Sequence, residues 1–282
     1  MSDQQSAVTE PPPKQQVQTN PFDAAVAEAK QDKAQAPSLL SLIKTGVRVR
    51  PIFTIVYGPP GIGKTTFGGT APKPIFLPTE RIDEKDVPKW PRITEYDQLF
   101  DYIHALRHEK HEYKTAVLDT ADGFEPILWK KVCDELKVPS METLKFGKSY
   151  MRAKEYWREV LNALENLSEK MHVIMLAHAH IKSVNDPMLD APYDTWKIKL
   201  HDKSAEVLRE SVDNILFARF EIGLKKENIK DDKGRGILSG KRMLYSTAQT
   251  GFEAKNRFNL PNEMDLSWEP LGKAVKEFYG KP

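Results

Sequence analysis

The feature that most constrains this chain is the stretch Gly58-Pro-Pro-Gly-Ile-Gly-Lys-Thr-Thr66, which satisfies the pattern G-x-x-x-x-G-K-[S/T]. The apolar, β-branched run from Pro51 to Tyr57 precedes it, and a short helical stretch follows, stopped by Gly68-Gly69 and Pro72. Strand, glycine-rich loop and helix in that order make a phosphate cradle. Successive backbone N–H groups curl around the anion, and the helix dipole adds a favourable field. Pro59 and Pro60 have no N–H to give, but they stand ahead of the main donors, which run from Gly61 to Thr66. The candidate nucleotide site is therefore Gly58, Pro59, Pro60, Gly61, Ile62, Gly63, Lys64, Thr65 and Thr66. ATP and Mg²⁺ are the expected ligands: Lys64 neutralises β- and γ-phosphate oxygens, and the Thr65 hydroxyl ligates the metal.

The rest of the chain supplies a sheet for this loop to sit on. Short apolar runs at 74–78, 115–119, 171–177 and 214–218 alternate with helical patterns at 95–109, 123–137, 148–170 and just after 202. Such alternation predicts an α/β fold with a mainly parallel central sheet flanked by helices. Residues 219–268 read as β-rich, which adds antiparallel strands toward the C-terminus, and a last helix is expected over 270–279. A polar loop is expected from His178 to about Asp202. Residues 1–38 are rich in Pro, Gln and Ala and poor in large apolar groups, so they read as a disordered tail, with a weak helix conceivable at 22–34. The domain proper is expected over 39–282.

Ligand loops in such a sheet gather at the carboxyl ends of the strands. Asp119 ends the third run, where a carboxylate can hold the magnesium, although Asp119 and Thr120 both also suit a helix cap. Asp122 is a neighbouring alternative. Glu80 follows the second run and suits a general base for water, with Asp83 and Glu84 near enough to compete. His178 ends the fourth run, where it can contact the terminal phosphate. A metal site at His178 and His180 is not expected, for want of a third ligand at a fitting spacing.

With these elements in order, the chain resembles the RecA-like P-loop ATPases. Within them it is most similar to the phage AAA-type nucleotide-binding proteins related to phage single-strand annealing recombinases. The resemblance spans roughly 45–265 and rests on "YGPPGIGKTT", "PIFLPTE", "AVLDTADG", "VIMLAHAHIK", "HDKSAEVLRESVDNILFA" and "FEAKNRFNLP". It implies that Glu80 is the catalytic base and that His178 stands where a phosphate sensor, commonly Gln, is found. It implies also that the loop after the fourth strand binds single-stranded DNA. "AKNR" resembles the K-x-R stretch of hexameric relatives, so Lys255 and Arg257 are expected to reach a neighbouring subunit's nucleotide in a ring or filament.

In the 179–200 stretch, Trp196 can stack on a base while Lys182, Lys197 and Lys199 neutralise phosphates. The alternative is a surface loop whose Trp196 and Tyr193 fold back on the core. A second basic set, Lys225, Lys226, Lys230, Lys233, Arg235, Lys241 and Arg242, is interrupted by acids and reads as a solvated hairpin. Arg152, Lys154 and Arg158 read as an exposed helix face.

A net charge of only +2 does not by itself announce a nucleic-acid binder. The single cysteine, Cys133, excludes an internal disulfide and fits a reducing cytoplasm. No stretch approaches the ~20 apolar residues of a membrane span, so no membrane partner is expected. The expected function is an ATPase acting on single-stranded DNA in phage recombination or replication, as a homo-oligomer, with a single-strand-binding or annealing protein as a conceivable partner. The competing reading is a nucleotide-gated assembly or helicase-loader protein with little turnover.

Overall fold

A computed structural model describes residues 39–43, 45–46, 48–83, 86–225 and 235–280. The expected tail, the helix at 22–34, Glu84 and the lysines at 226, 230 and 233 lie outside these residues. The chain divides into two compact units, Met1–Arg48 and Val49–Pro282. In the first, one 3-10 turn is described, at Leu39–Leu42.

The second unit is built on an eight-stranded sheet. Its strands are β1 (Phe53–Gly58), β2 (Pro74–Pro78), β3 (Thr115–Asp119), β4 (His172–Val184), β5 (Tyr193–Ile198), β6 (Asn214–Lys225), β7 (Arg235–Tyr245) and β8 (Glu263–Asp265). They lie in the order β2-β3-β4-β1-β6-β7-β8, with β5 paired to the outer half of β4. The pairs β2–β3, β3–β4, β4–β1 and β1–β6 are parallel. The pairs β6–β7, β7–β8 and β4–β5 are antiparallel. This is the mainly parallel α/β core with added antiparallel strands that the sequence predicts.

The helices are α1 (Lys64–Gly69), α2 (Tyr96–His108), α3 (Ala121–Leu136), α4 (Lys148–Ser168), α5 (Asp202–Ser211) and α6 (Trp268–Phe278). Every residue of β1 is buried, because helices cover both faces of the sheet. Phe53, Ile55 and Tyr57 meet Leu99 of α2, Phe124 of α3, Trp157 of α4 and Leu208 of α5 in one core. Val56 turns to the other face, where Phe67 of α1 and Leu271 and Val275 of α6 close a second core with Phe258 and Leu260. The alternation of β1 thus fixes the strand between two layers, with its last residue at the sheet's carboxyl edge.

One expectation is corrected here. The polar loop over 178–202 is a β-hairpin: β4 continues past Ala177 to Val184, and Ala179 through Val184 pair with Ile198 through Tyr193. Only 185–192 remain between the two strands. The alternation of Trp196 and Ile198 drives the pairing. Ile198 is buried, and the Trp196 ring packs against Phe217 with centroids 6.1 Å apart. Asp194 shares the face of Trp196 and Ile198, and Thr195 on the other face is buried, so β5 shows no clean period of two in the sequence. Helix α3 also begins two residues earlier than expected, because Thr120 caps it: its side chain accepts from Gly123 N–H at 3.0 Å.

Candidate functional site

The loop between β1 and α1 closes as the sequence requires. Gly63 lies in the left-handed region at φ 101°, which lets the chain turn directly into α1 without a Cβ penalty. Lys64 is buried and folds back over the loop, donating from Nζ to the carbonyls of Gly58 and Pro59, both at 3.1 Å. Pro59 therefore contributes through its carbonyl where it cannot contribute an N–H. Desolvation pulls the Lys64 ammonium below its ordinary value, while the charges of Asp122, Asp119 and Glu80 act in the opposite direction. A lysine desolvated among carboxylates is poised to gain from an anionic ligand.

Asp119 ends β3 buried at 4% exposure, and its Oδ2 accepts from the Thr65 hydroxyl at 2.8 Å. The helix-cap alternative for Asp119 falls away, because Thr120 takes that role. A hydroxyl and a buried carboxylate in contact, with the loop lysine beside them, are the donor set a magnesium ion takes. The residues present fit the metal.

Glu80 is carried by a lattice of threonine contacts. The Thr79 backbone N–H donates to the Asp119 carbonyl at 2.8 Å. Its hydroxyl donates to the Thr120 carbonyl and accepts from the Thr120 N–H, again at 2.8 Å each. Thr120 Oγ1 then donates to Glu80 Oε1 at 3.1 Å. A Cβ on Gly123 would collide with Thr79 Oγ1 and crowd Glu80 Cγ at 3.1 Å, so glycine at the start of α3 is what lets Glu80 sit there. The competing Asp83 is held by Arg81 at 2.6 Å on the surface and does not line the pocket.

His178 ends the part of β4 that pairs with β1, and Asp122 grips it twice. The His178 backbone N–H donates to Asp122 Oδ1 at 2.8 Å, and Nδ1 lies 2.9 Å from Oδ2. Burial alone would raise the Asp122 carboxyl, but hydrogen bonding from His178 outweighs it and holds the group below the usual carboxylate range. Ligand atoms of Glu80, Asp122 and His178 all fall within 4.8 Å of one another. Chain spacing concealed this convergence, since Asp122 comes from the first turn of α3. Asp122 thus orients His178, a role the sequence did not announce.

Gly61, Gly63, Lys64, Thr65, Thr66, Glu80, Asp119, Thr120 and His178 line one cavity of about 320 Å³ at the carboxyl edge of the sheet. Arg242 of β7 lines it as well, one residue of the basic set that reads in sequence as a solvated hairpin. Gly58, Pro59 and Pro60 form the entry of the loop, and Ile62 anchors it with a fully buried side chain.

Other candidates lie elsewhere. Lys255 bridges to Ile215 near the start of β6, at the sheet's amino edge. Its Nζ donates to the carbonyls of Arg209 and Val212 at 2.8 and 2.6 Å, capping the end of α5. Arg257 donates to the buried Asp213 at 2.7 Å, a carboxylate it shares with Arg50. Neither reaches the phosphate cavity of its own chain. In the hairpin, Lys182 pairs with Asp202 and Lys197 with Glu253. Trp196 is half-buried on the core, and Lys199 is exposed without an ion pair among the described residues. No helix among the described residues is long and apolar enough to cross a membrane.

Residues 50–258 match the family model described as AAA domain. No curated protein matches this chain. Among solved structures, it is similar to a RadB recombinase at 14% identity and a TM-score of 0.38, over 74% of this chain and 84% of that one.

Proposed function

The chain belongs to the AAA domain family, and from that premise we propose that it binds ATP with magnesium, hydrolyses it, and couples the cycle to single-stranded DNA in recombination or replication. The observation that carries the reading is the meeting of Lys64, Thr65, Asp119, Glu80 and His178 in one cavity. Thr65 and Asp119 would hold magnesium, which draws charge from the phosphate oxygens when bound. Lys64 neutralises the phosphate chain. Glu80, half-exposed and fixed by Thr120, accepts the proton of the attacking water. His178 Nδ1 is committed to Asp122, which leaves the far side of the ring for the terminal phosphate.

The link to DNA runs along one strand. β4 carries His178 at the cavity and continues without interruption into the hairpin that bears Lys182, with Trp196 and Lys197 opposite on β5 and Lys199 just past its end. A displacement of His178 on loss of phosphate would pass down that strand to the DNA-facing hairpin. Met188, at 89% exposure, and Leu189 stand at its tip, where an apolar group can meet an unstacked base. Lys255 and Arg257, if they act on nucleotide, do so across a subunit boundary in a homo-oligomer. The test is phosphate release by the full chain with and without single-stranded DNA. DNA is expected to stimulate release in the wild type and Lys64→Ala to abolish it; release by Lys64→Ala at the wild-type rate would refute the assignment.

A further inference from the structure

β6 passes beyond the carboxyl edge of the sheet. Tyr57 at the top of β1 pairs with Phe217, and β6 then runs on past the level of the phosphate loop. β7 returns alongside it, and Arg242 pairs with Phe220, three residues above that level. The register shifts between Phe220 and Ile222, an irregularity of the kind that re-aims neighbouring side chains. The Arg242 guanidinium lies over the Phe220 ring at 5.9 Å from its centroid. Its NH1 comes so near the phosphate loop that a Cβ on Gly63 would lie 2.7 Å from it. Among the described residues it makes no ion pair, whereas its neighbour Lys241, on the other face of the strand, pairs with Asp265 at 3.1 Å. An arginine steadied by an aromatic ring, lining the same cavity as the phosphate loop and lacking a carboxylate, is matched to an anion.

The flank matters as much as the charge. Glu80 follows β2, Asp119 ends β3 and His178 lies on β4, all on one side of β1, which in the reading above is the side of water attack. Arg242 comes from β7, on the other side of β1, beside Gly63, the residue just before α1. We propose that Arg242 is a nucleotide ligand supplied by the same chain, gripping the diphosphate end of a nucleoside di- or triphosphate from the side of the loop opposite Glu80. The proposal rests on the ATP-binding reading above and adds to it a residue and a direction. Because ADP keeps the diphosphate, the arginine holds product as well as substrate.

Calorimetric titration of the full chain with Mg·ADP, and separately with a non-hydrolysable ATP analogue, tests this. Arg242→Ala is expected to weaken both nucleotides alike, by about tenfold or more, as loss of a charge-assisted contact should. Arg242→Lys recovers part of the loss, and Lys241→Ala, on the outer face, stays within about twofold of wild type. Unchanged ADP affinity in Arg242→Ala overturns the proposal, and a loss confined to the ATP analogue overturns its diphosphate placement. A wild type that binds neither nucleotide overturns the ATP-binding reading as well. A wild type that binds both, with Arg242→Ala equal to it, overturns the role of Arg242 alone.

Discussion

Asp122 holds His178 by both of its carboxylate oxygens, one on the backbone N–H at 2.8 Å and one against Nδ1 at 2.9 Å. The ring is thereby fixed in orientation at the point where β4 leaves the nucleotide cavity. Asp122→Ala removes that grip while leaving the phosphate loop untouched. Turnover is expected to fall about tenfold, with nucleotide affinity within about twofold of wild type. Asp122→Asn, which keeps an acceptor, should restore part of the rate. Equal turnover in Asp122→Ala and wild type would show that the orientation of His178 does not matter.

The Thr65–Asp119 contact predicts a metal phenotype distinct from a general loss of activity. In Asp119→Asn the carboxylate charge goes but the shape stays. The magnesium concentration for half-maximal turnover is expected to rise on the order of tenfold or more. The check is a magnesium titration of phosphate release at saturating ATP; an unchanged midpoint would remove Asp119 from the metal site.

Stability should depend on pH through His172, at the opposite edge of the sheet. Burial pushes this ring down to about 4, and it accepts at Nδ1 from the Ile52 N–H at 3.1 Å, which requires the neutral form. The unfolded chain takes up a proton near pH 6.5 and the folded one only near 4, so the unfolded state binds more protons between those values. The contribution is full above about 6.5 and is lost as pH falls toward 4, about 3 kcal/mol in all. Urea unfolding of wild type and His172→Gln at pH 7 and pH 5 isolates it. The wild type should lose more stability than the variant on acidification, and parallel losses would contradict the assignment.

The hairpin separates packing from DNA contact. The Trp196 ring lies against Phe217, so Trp196→Ala is expected to cost about 2 kcal/mol of stability whatever it does to DNA. Lys199 is exposed and unpaired among the described residues, so Lys199→Ala leaves stability unchanged. It should lower the salt dependence of single-stranded DNA binding, by about 0.7 in the log–log slope. An identical slope would take Lys199 out of the interface.

The parts of the site that were legible in the sequence are those set by local chemistry. Gly63, Lys64 and Thr65 stand in a fixed pattern, Asp119 ends one short apolar run and Glu80 closely follows another, and the boundaries of those runs at 115–119 and 74–78 match the strands. What was not legible arises from pairing between distant segments. Arg242 reaches the cavity only because β7 folds back along β6 past the sheet edge, and nothing local to "GKRML" marks that register. Asp122 finds His178 across 56 residues. Packing of Trp196 on the core was one of the alternatives open in the sequence, but the hairpin of β4 and β5 was not, because charged residues such as Lys182, Asp194 and Lys197 interleave the apolar ones and the pairing joins segments on either side of 185–192.

The most direct test of the central claim is Glu80→Gln, measured for ATP affinity and for single-turnover phosphate release on the same preparation. Glu80 is held by Thr120 at the cavity wall and contributes nothing to the loop fold, so the variant should bind ATP as the wild type does. Phosphate release is expected to fall by about a hundredfold or more, as loss of a general base requires. Release at the wild-type rate would show that Glu80 is not the base and that the hydrolytic account built on this cavity is wrong.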